Sequence, residues 1–311
     1  MLDTILDRTV LPGYTSVGYK LRSRAWDDLP SMAGKVVIVT GATGGIGLAA
    51  AEGFARLGAD VRLLVRNAER GEKAAAKVRA DVPDATVGVE LCDVSDLGSV
   101  RAFAEQFTAK ETRLDVLVHN AGVLPPQRTL TDDGIELTFA TNVAGPFLLT
   151  SLLSDLLAAA APSRVINISS GGMYTAKLDA DDLQAAEGTF DGVRQYAQTK
   201  RAEVILTELW AERLHERGVI VHSMHPGWVD TPGVQESLPT FNKIMGPLLR
   251  DAAQGADTIV WLGAAEEPLH STGTFWHDRR ARPTHRVPWT KESDDDRRRL
   301  WEELERLTTE A

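Results

Sequence analysis

Tyr196-Ala-Gln-Thr-Lys200 sets a phenol and an ammonium four residues apart, which on a helix is one face. A phenol with a reference pKa near 10 needs about 3 to 4 kcal/mol of added preference for its anion before it can exchange protons near neutral pH. A cation about 5 Å away, at an effective dielectric of 20, supplies roughly 3 kcal/mol. The pair can therefore act as acid or base on a substrate oxygen, provided a neighbouring hydroxyl holds that oxygen. Asn167-Ile-Ser169-Ser170 ends a strand-like run, and Ser170 is preferred over Ser169 as that hydroxyl. By itself the Tyr196/Lys200 pair would equally suit the surface of an amphipathic helix, so a second signal has to decide.

Thr40-Gly-Ala-Thr-Gly-Gly-Ile-Gly47 supplies it. The run joins a β-branched segment to a helical one, where glycines allow positive φ and let the backbone approach a pyrophosphate at a helix N-terminus. The spacing of Gly41, Gly45 and Gly47 is weak alone, and the strand before it and helix after it give it meaning. A dinucleotide is the expected ligand. The second strand closes with Leu64-Val65-Arg66-Asn67, which has no carboxylate for the adenosine ribose, whereas Arg66 offers a charged fork to a 2′-phosphate. NADP(H) is thus favoured over NAD(H), unless Arg66 is merely a solvated strand-end residue. Asp93 is placed to receive the adenine amino group, and Asn120-Ala121-Gly122 lets backbone pass the adenosine ribose. Both sets also favour plain turns.

These residues need elements to position them. Strand-like runs at 35–40, 61–65, 87–91, 114–118, 164–168, 219–223 and 273–275 alternate with helical periodicity at 45–57, from Asn67 through about 81, from Ser95 through about 109, at about 131–157, 195–217 and 251–262. Strands alternating with helices of that length require crossover connections. The expected fold is α/β: a single doubly wound Rossmann domain with a mostly parallel seven-stranded sheet and helices on both faces. Its span is 34–277, preceded by a leader at 1–33 that packs on the core and followed by a charged, partly helical tail at 278–311. The tail from Asp294 to Leu307 reads as a solvated helix with intrahelical ion pairs.

Composition excludes other classes. The 311 residues are 43% hydrophobic and 25% charged, which suits a globular chain rather than a disordered or fibrous one. A net charge of −10 would repel nucleic acid or an anionic membrane. One cysteine, Cys92, permits no internal disulfide and no zinc site, so a reducing cytoplasm is expected. Phe147 to Ala161 is apolar but broken by Thr150, Ser151, Ser154 and Asp155, and no membrane span or targeting segment is expected. No metal is expected either, because Asp179, Asp181 and Asp182 lack a histidine and read as a solvated turn.

In this order along the chain, Thr40-Gly-x-x-x-Gly-x-Gly47, Asp93, Asn120-Ala-Gly122, Asn142, Ser170, Tyr196-x-x-x-Lys200 and Pro226-Gly227 resemble the short-chain dehydrogenase/reductase superfamily. The resemblance covers 35–276. It implies that Tyr196 donates or accepts the proton, that Lys200 assists it and holds the nicotinamide ribose, and that Ser170 orients the substrate oxygen. Asn142 would hold a water linking the lysine to solvent. The implied cofactor contacts are Gly41, Thr43, Gly44, Gly45, Ile46, Gly47, Arg66, Asn67, Asp93, Val94, Asn120, Ala121, Gly122, Tyr196, Lys200, Pro226, Gly227, Val229 and Thr231. Further runs, among them Met224-His-Pro-Gly-Trp228 and Tyr14-Thr to Gly18-Tyr19, resemble one narrower branch of that family.

Two departures stand out. His119 replaces the usual Asn before Asn120-Ala-Gly, and Tyr196 follows Ser170 by 26 positions, about twice the common spacing. The added segment, 171–195, is expected to wall the substrate pocket, with Ser170, Met173, Tyr174, Tyr196 and Trp228 as contacts. Pro232, Val234, Leu238 and Phe241 would extend Trp228 into an apolar lid. The expected substrate is a fairly apolar carbonyl compound or alcohol. A chain that binds NADP without turnover, as a sensor or scaffold, is the competing expectation; oligomeric state is open, since the two long helices could pair copies into a homodimer but the leader could cover that surface.

Overall fold

A computed structural model describes residues 13–230, 243 and 245–310. The β-branched runs become strands β1 (Val36–Thr40), β2 (Asp60–Val65), β3 (Val87–Leu91), β4 (Val116–His119), β5 (Ser163–Ile168), β6 (Val219–Met224) and β7 (Thr274–His277). They pair in parallel in the order β3-β2-β1-β4-β5-β6-β7. The sheet has eight strands where seven were expected: β8 (Arg280–Arg282) turns back antiparallel on β7. Asp278 and Arg279, at φ +52° and +55°, make that hairpin. A three-residue Arg-Ala-Arg strand carries no apolar alternation that sequence could reveal.

Among the described residues, helix α1 (Ser16–Arg22) precedes the sheet. Helices α2 (Gly45–Arg56) and α3 (Ala68–Asp81) follow β1 and β2, and α4 (Leu97–Thr108) follows β3. Then come α5 (Leu137–Ala159), α6 (Gly192–Leu214), α7 (Ala252–Ala264) and α8 (Asp294–Glu310). One face of the sheet is buried by α2, α3 and α7, the other by α4, α5 and α6. The chain reverses its winding between β1 and β4, and in open α/β sheets the crevice at that reversal is where ligands bind.

Local chemistry sets the helix starts. Asn67 caps α3 by accepting from Arg70 N, as expected, but α4 is capped by Asp96, whose carboxylate accepts from Ser99 N. Ser95 instead donates to Asp93 Oδ1. Helix α5 starts at 137 rather than 131 because Thr131 to Gly134 forms a turn with Gly134 at φ +74°. Glu136, fully buried, then caps it through Thr138 N and Phe139 N. Helix α6 begins at 192, where Asp191 caps it, and 215–217 is a separate 3₁₀ turn.

By length and composition α5 is long and apolar enough to cross a membrane, and 67% of its most apolar window is buried inside the protein. It also contains a π-helical turn, Ala140–Ala144, a distortion common at functional sites.

The charged tail does more than pair with itself. Arg298 and Arg306 do bond acids within α8, but Leu300 and Leu304 are fully buried. Trp301 lies edge-on to Phe147 at 4.9 Å and Trp210 at 4.8 Å, with Arg213 stacked 3.6 Å from its ring. Helix α8 thus covers part of the α5–α6 surface through which two copies could have paired.

Candidate active site

The site gathers at the carboxyl ends of β1, β4, β5 and β6. Glycine chemistry builds its first part. Gly41 and Gly45 have φ of +67° and +54°. A Cβ at Gly47 would lie 2.4 Å from Asn120 Nδ2 and 2.7 Å from Gly41 O, so only glycine fits. Thr43 and Gly44 are exposed ahead of α2, leaving its positive N-terminal end open to an anion. Thr40 fastens this loop to β4: its buried hydroxyl accepts from Asn120 N and Ala121 N, both at 2.9 Å. Asn120 Nδ2 donates to Thr40 O at 2.9 Å, so its side chain braces the loop. This bracket went unread in the sequence, although Thr40 is buried at the motif's first position.

Arg66 and Asn67 follow β2, and Arg66 is exposed. Asp93 Oδ1 is engaged by Ser95 N and Ser95 Oγ, and Val94 is buried beneath α5 at Gly145. Pro226 and Gly227 follow β6, with Gly227 at φ +82°. Val229 and Ile46 converge on Gly255 of α7, whose Cβ would lie 2.7 Å from one and 3.3 Å from the other. That contact sets the loop after β6 beside the glycine loop. Thr231, Pro232, Val234, Leu238 and Phe241 lie outside the described residues.

The second part stands on α5 and α6. Lys200 is buried, its Nζ 5.4 Å from the centre of the Tyr196 ring. Nζ donates to Ile168 O at 2.9 Å and to Glu203 Oε1 at 2.7 Å. Burial alone would lower the Lys200 ammonium, but Glu203 and Tyr196 outweigh it and hold it above the ordinary lysine range. Asn142, on the π turn, donates to Thr199 Oγ1 at 3.0 Å and accepts from Val123 N at 3.0 Å. A Cβ at Gly122 would lie 3.4 Å from both Asn142 Oδ1 and Lys200 Nζ, so the two groups flank one point on the turn after β4.

The residues between and beside Tyr196 and Lys200 hold the helix in register. Buried Gln195 donates to Glu136 Oε2 and Leu183 O, Gln198 accepts from Asp179 N, and Thr199 donates to Tyr196 O. Arg201, fully buried, donates to Met173 O, Ala176 O and Thr284 O, and so stitches 171–176 to the helix.

The two serines separate cleanly. Ser169 is buried and donates to Lys200 O at 2.7 Å, whereas Ser170 is half-buried and its Oγ accepts from Gly172 N at 3.2 Å. Met173 has no exposed surface and clusters with Tyr174, Val204 and Phe275. The Tyr174 hydroxyl donates to Pro283 O. Both side chains are buried. The half-buried Trp228 instead lies edge-on to Tyr14.

Tyr14 is an unanticipated neighbour. Its ring sits 3.1 Å from the Cβ position of Gly171 and packs against His225 and His277. Tyr14 O accepts from Trp228 N and Arg250 Nε. Arg250, Arg22 and Asp278 form a buried ionic cluster behind it. His119, on β4, is neutral: burial pushes it down to about 3, and its Nε2 meets Thr150 Oγ1 at 2.8 Å. Among the described residues no cluster of His, Cys, Asp or Glu could hold a metal.

The short chain dehydrogenase family profile matches residues 35–241, the span that holds the glycine loop and the Tyr196/Lys200 pair. The chain belongs to the short-chain dehydrogenase/reductase family. It is 42% identical over 299 residues to dehydrogenase/reductase SDR family member 12 of Bos taurus, covering 94% of this chain and 93% of that one. It is 39% identical over 249 residues to retinol dehydrogenase 12 of Homo sapiens, covering 79% and 78%. Among solved structures, an uncharacterized protein from Mycobacterium paratuberculosis superposes with a TM-score of 0.73 at 30% identity, covering 91% and 96%. A candidate NAD(P)-dependent gluconate 5-dehydrogenase from Beutenbergia cavernae, with bound NADP, gives 0.64 at 25% identity, covering 79% and 95%.

Proposed function

We propose that this family member transfers hydride between NADP(H) and a fairly apolar carbonyl compound or alcohol, with Tyr196 as the acid/base. The observation that carries the reading is the buried Lys200 ammonium beside the Tyr196 ring, with Asn142 flanking the same turn after β4. The open N-terminus of α2, the glycine cradle and exposed Arg66 fit a dinucleotide with a 2′-phosphate. When bound, that group supplies or accepts the hydride at its nicotinamide ring. The protein's own residues manage the proton: Ser170 Oγ holds the substrate oxygen, and Tyr196 Oη gives or takes its hydrogen. Lys200 stabilises the phenolate that forms. Asn142 and Thr199 fix the α5–α6 spacing on which this depends. The apolar substrate class is supported by Trp228 and Tyr14 beside the loop after β6, and by the retinol dehydrogenase among the relatives. A lone buried Cys92 supports action in a reducing cytoplasm.

Fluorescence titrations with NADPH and NADH test the cofactor. We expect at least tenfold tighter NADPH binding, lost preferentially in Arg66→Ala; equal losses for both would overturn the phosphate role. Tyr196→Phe is expected to keep NADPH binding and lose turnover of aldehydes or alcohols by a factor of about 10² or more. Binding without turnover in the native chain would favour the sensor or scaffold.

A further inference from the structure

Helix α6 brings one more ionisable group to Lys200. Glu203 follows it by three residues, is buried, and accepts from Nζ at 2.7 Å through Oε1. Its second oxygen, Oε2, is buried with no hydrogen-bond partner. A buried carboxylate is costly unless a cation compensates it, and this one is half satisfied on the lysine of the proposed site. Burial pushes the Glu203 carboxyl up to about 7 against the pull of Lys200.

The surroundings leave that lysine as the partner. From β5 and β6, Arg164 is spent on the carbonyls of Leu262 and Ala265, and His222 is neutral, pushed down by burial to about 4. From β4 and β7, His119 and His277 are likewise held neutral by burial. On the remaining elements packed against α6, Glu136 is bound to Gln195 and to the start of α5, Tyr174 donates to Pro283 O, and Arg297 of α8 pairs with Glu208.

We propose that Glu203 is a positioning residue, the resident counter-ion that holds the Lys200 ammonium below the crevice and limits how strongly that cation acts on the Tyr196 phenol. The inference rests on the reading of Tyr196 as acid/base. Glu203 lies seven positions after Tyr196, and with Lys200 Nζ 2.7 Å from its Oε1 and 5.4 Å from the Tyr196 ring centre, the carboxylate lies within about 8 Å of that ring. At an effective dielectric of 20, removing a full charge at that distance moves a phenol ionisation by roughly one pH unit or somewhat more. The sign is downward, because the anion that opposed the phenolate is gone.

Glu203→Gln keeps the shape and one acceptor for Nζ while deleting the charge. Its rate of alcohol oxidation is expected to rise with pH along a limb displaced roughly one unit to lower pH. Glu203→Asp, which keeps the charge, should restore most of the original position. Tyrosinate absorbance titrations of the cofactor-free proteins, each differenced against its Tyr196→Phe counterpart, should show the same displacement. An unmoved limb in Glu203→Gln, or equal displacement in the Asp and Gln variants, overturns the proposal while leaving Tyr196 in place. If instead Tyr196→Phe retains native turnover, the acid/base reading fails and this inference falls with it.

Discussion

Asp278→Asn perturbs the buried cluster that ties the segment before β1 to the loop after β6. Asp278 is 1% exposed and accepts from Arg22 Nη1 at 2.6 Å and from Arg250 Nη1 and Nη2 at 2.6 and 2.9 Å. Its φ of +52° is a left-handed conformation that asparagine also tolerates, so the substitution removes charge and spares the backbone. Two guanidiniums are then left buried without their counter-charge, a change that costs about 3–5 kcal/mol. For a chain of this size roughly 2 °C of Tm accompanies each kcal/mol, giving a fall of roughly 6–10 °C. Burial pushes the Asp278 carboxyl up, yet His277, once acid has protonated it, together with Arg250 and Arg22 outweighs it and holds it well below the usual carboxylate range. A depressed native pKa contributes stability above the unfolded value near 4, which is lost as pH falls below it. The gap between native protein and variant should therefore stay level from about pH 7 to 4 and narrow below about 4. Thermal melts followed by circular dichroism at several pH values measure it. Tryptic cleavage after Lys20, Arg22 and Arg24 should quicken in the variant. A fall under about 2 °C at neutral pH, or a gap that widens on acidification, would refute the reasoning.

Other expectations are more local. Gly145→Ala would set a methyl 1.8 Å from Val94 O and force α5 away from the loop after β3, with an expected loss of about 2–3 kcal/mol in denaturant melts. Trp301→Ala should cost about 2–3 kcal/mol and speed proteolysis within α8; unchanged protection would show that Leu300 and Leu304 suffice to dock it. Cys92 is 4% exposed and burial pushes its thiol up to about 12, so a disulfide reagent at pH 8 should label it only after unfolding, and rapid native labelling would contradict its placement.

The strands were legible because β-branched runs between turn residues have few alternatives, and each of β1 to β7 falls within two residues of its expected bounds at either end. Helix starts were harder, since any short polar side chain near the first turn is a plausible cap. Ser95 and Asp96 are adjacent, and geometry alone gives the cap to Asp96. The glycine loop and the Tyr196/Lys200 pair were legible because their chemistry depends on local spacing. Arg201 and Thr40 were not, because their partners are backbone carbonyls or amides remote in sequence, and Glu203, although one turn from Lys200, was not because only packing decides that the pair is buried.

The sequence by itself determined the alternation of strands and helices, and with it a doubly wound, mostly parallel sheet, whereas the switch point between β1 and β4 came only with the strand order. It also determined the order of the dinucleotide loop, the serine pair, and the tyrosine and lysine. Only tertiary structure decided that Ser169 is buried and Ser170 half-buried, that Met173 and Tyr174 are buried against Val204 and Phe275, and that Tyr14 lies against the loop after β6. It likewise decided that α8 lies on α5 and α6 rather than in solvent, for its charged face is written in sequence while the acceptor of its apolar face, Phe147 and Trp210, is not. The physical reason is common to all of these. Periodicity and turn chemistry act over a few residues, whereas burial and ion pairing are settled by whatever the folded chain brings within a few ångströms.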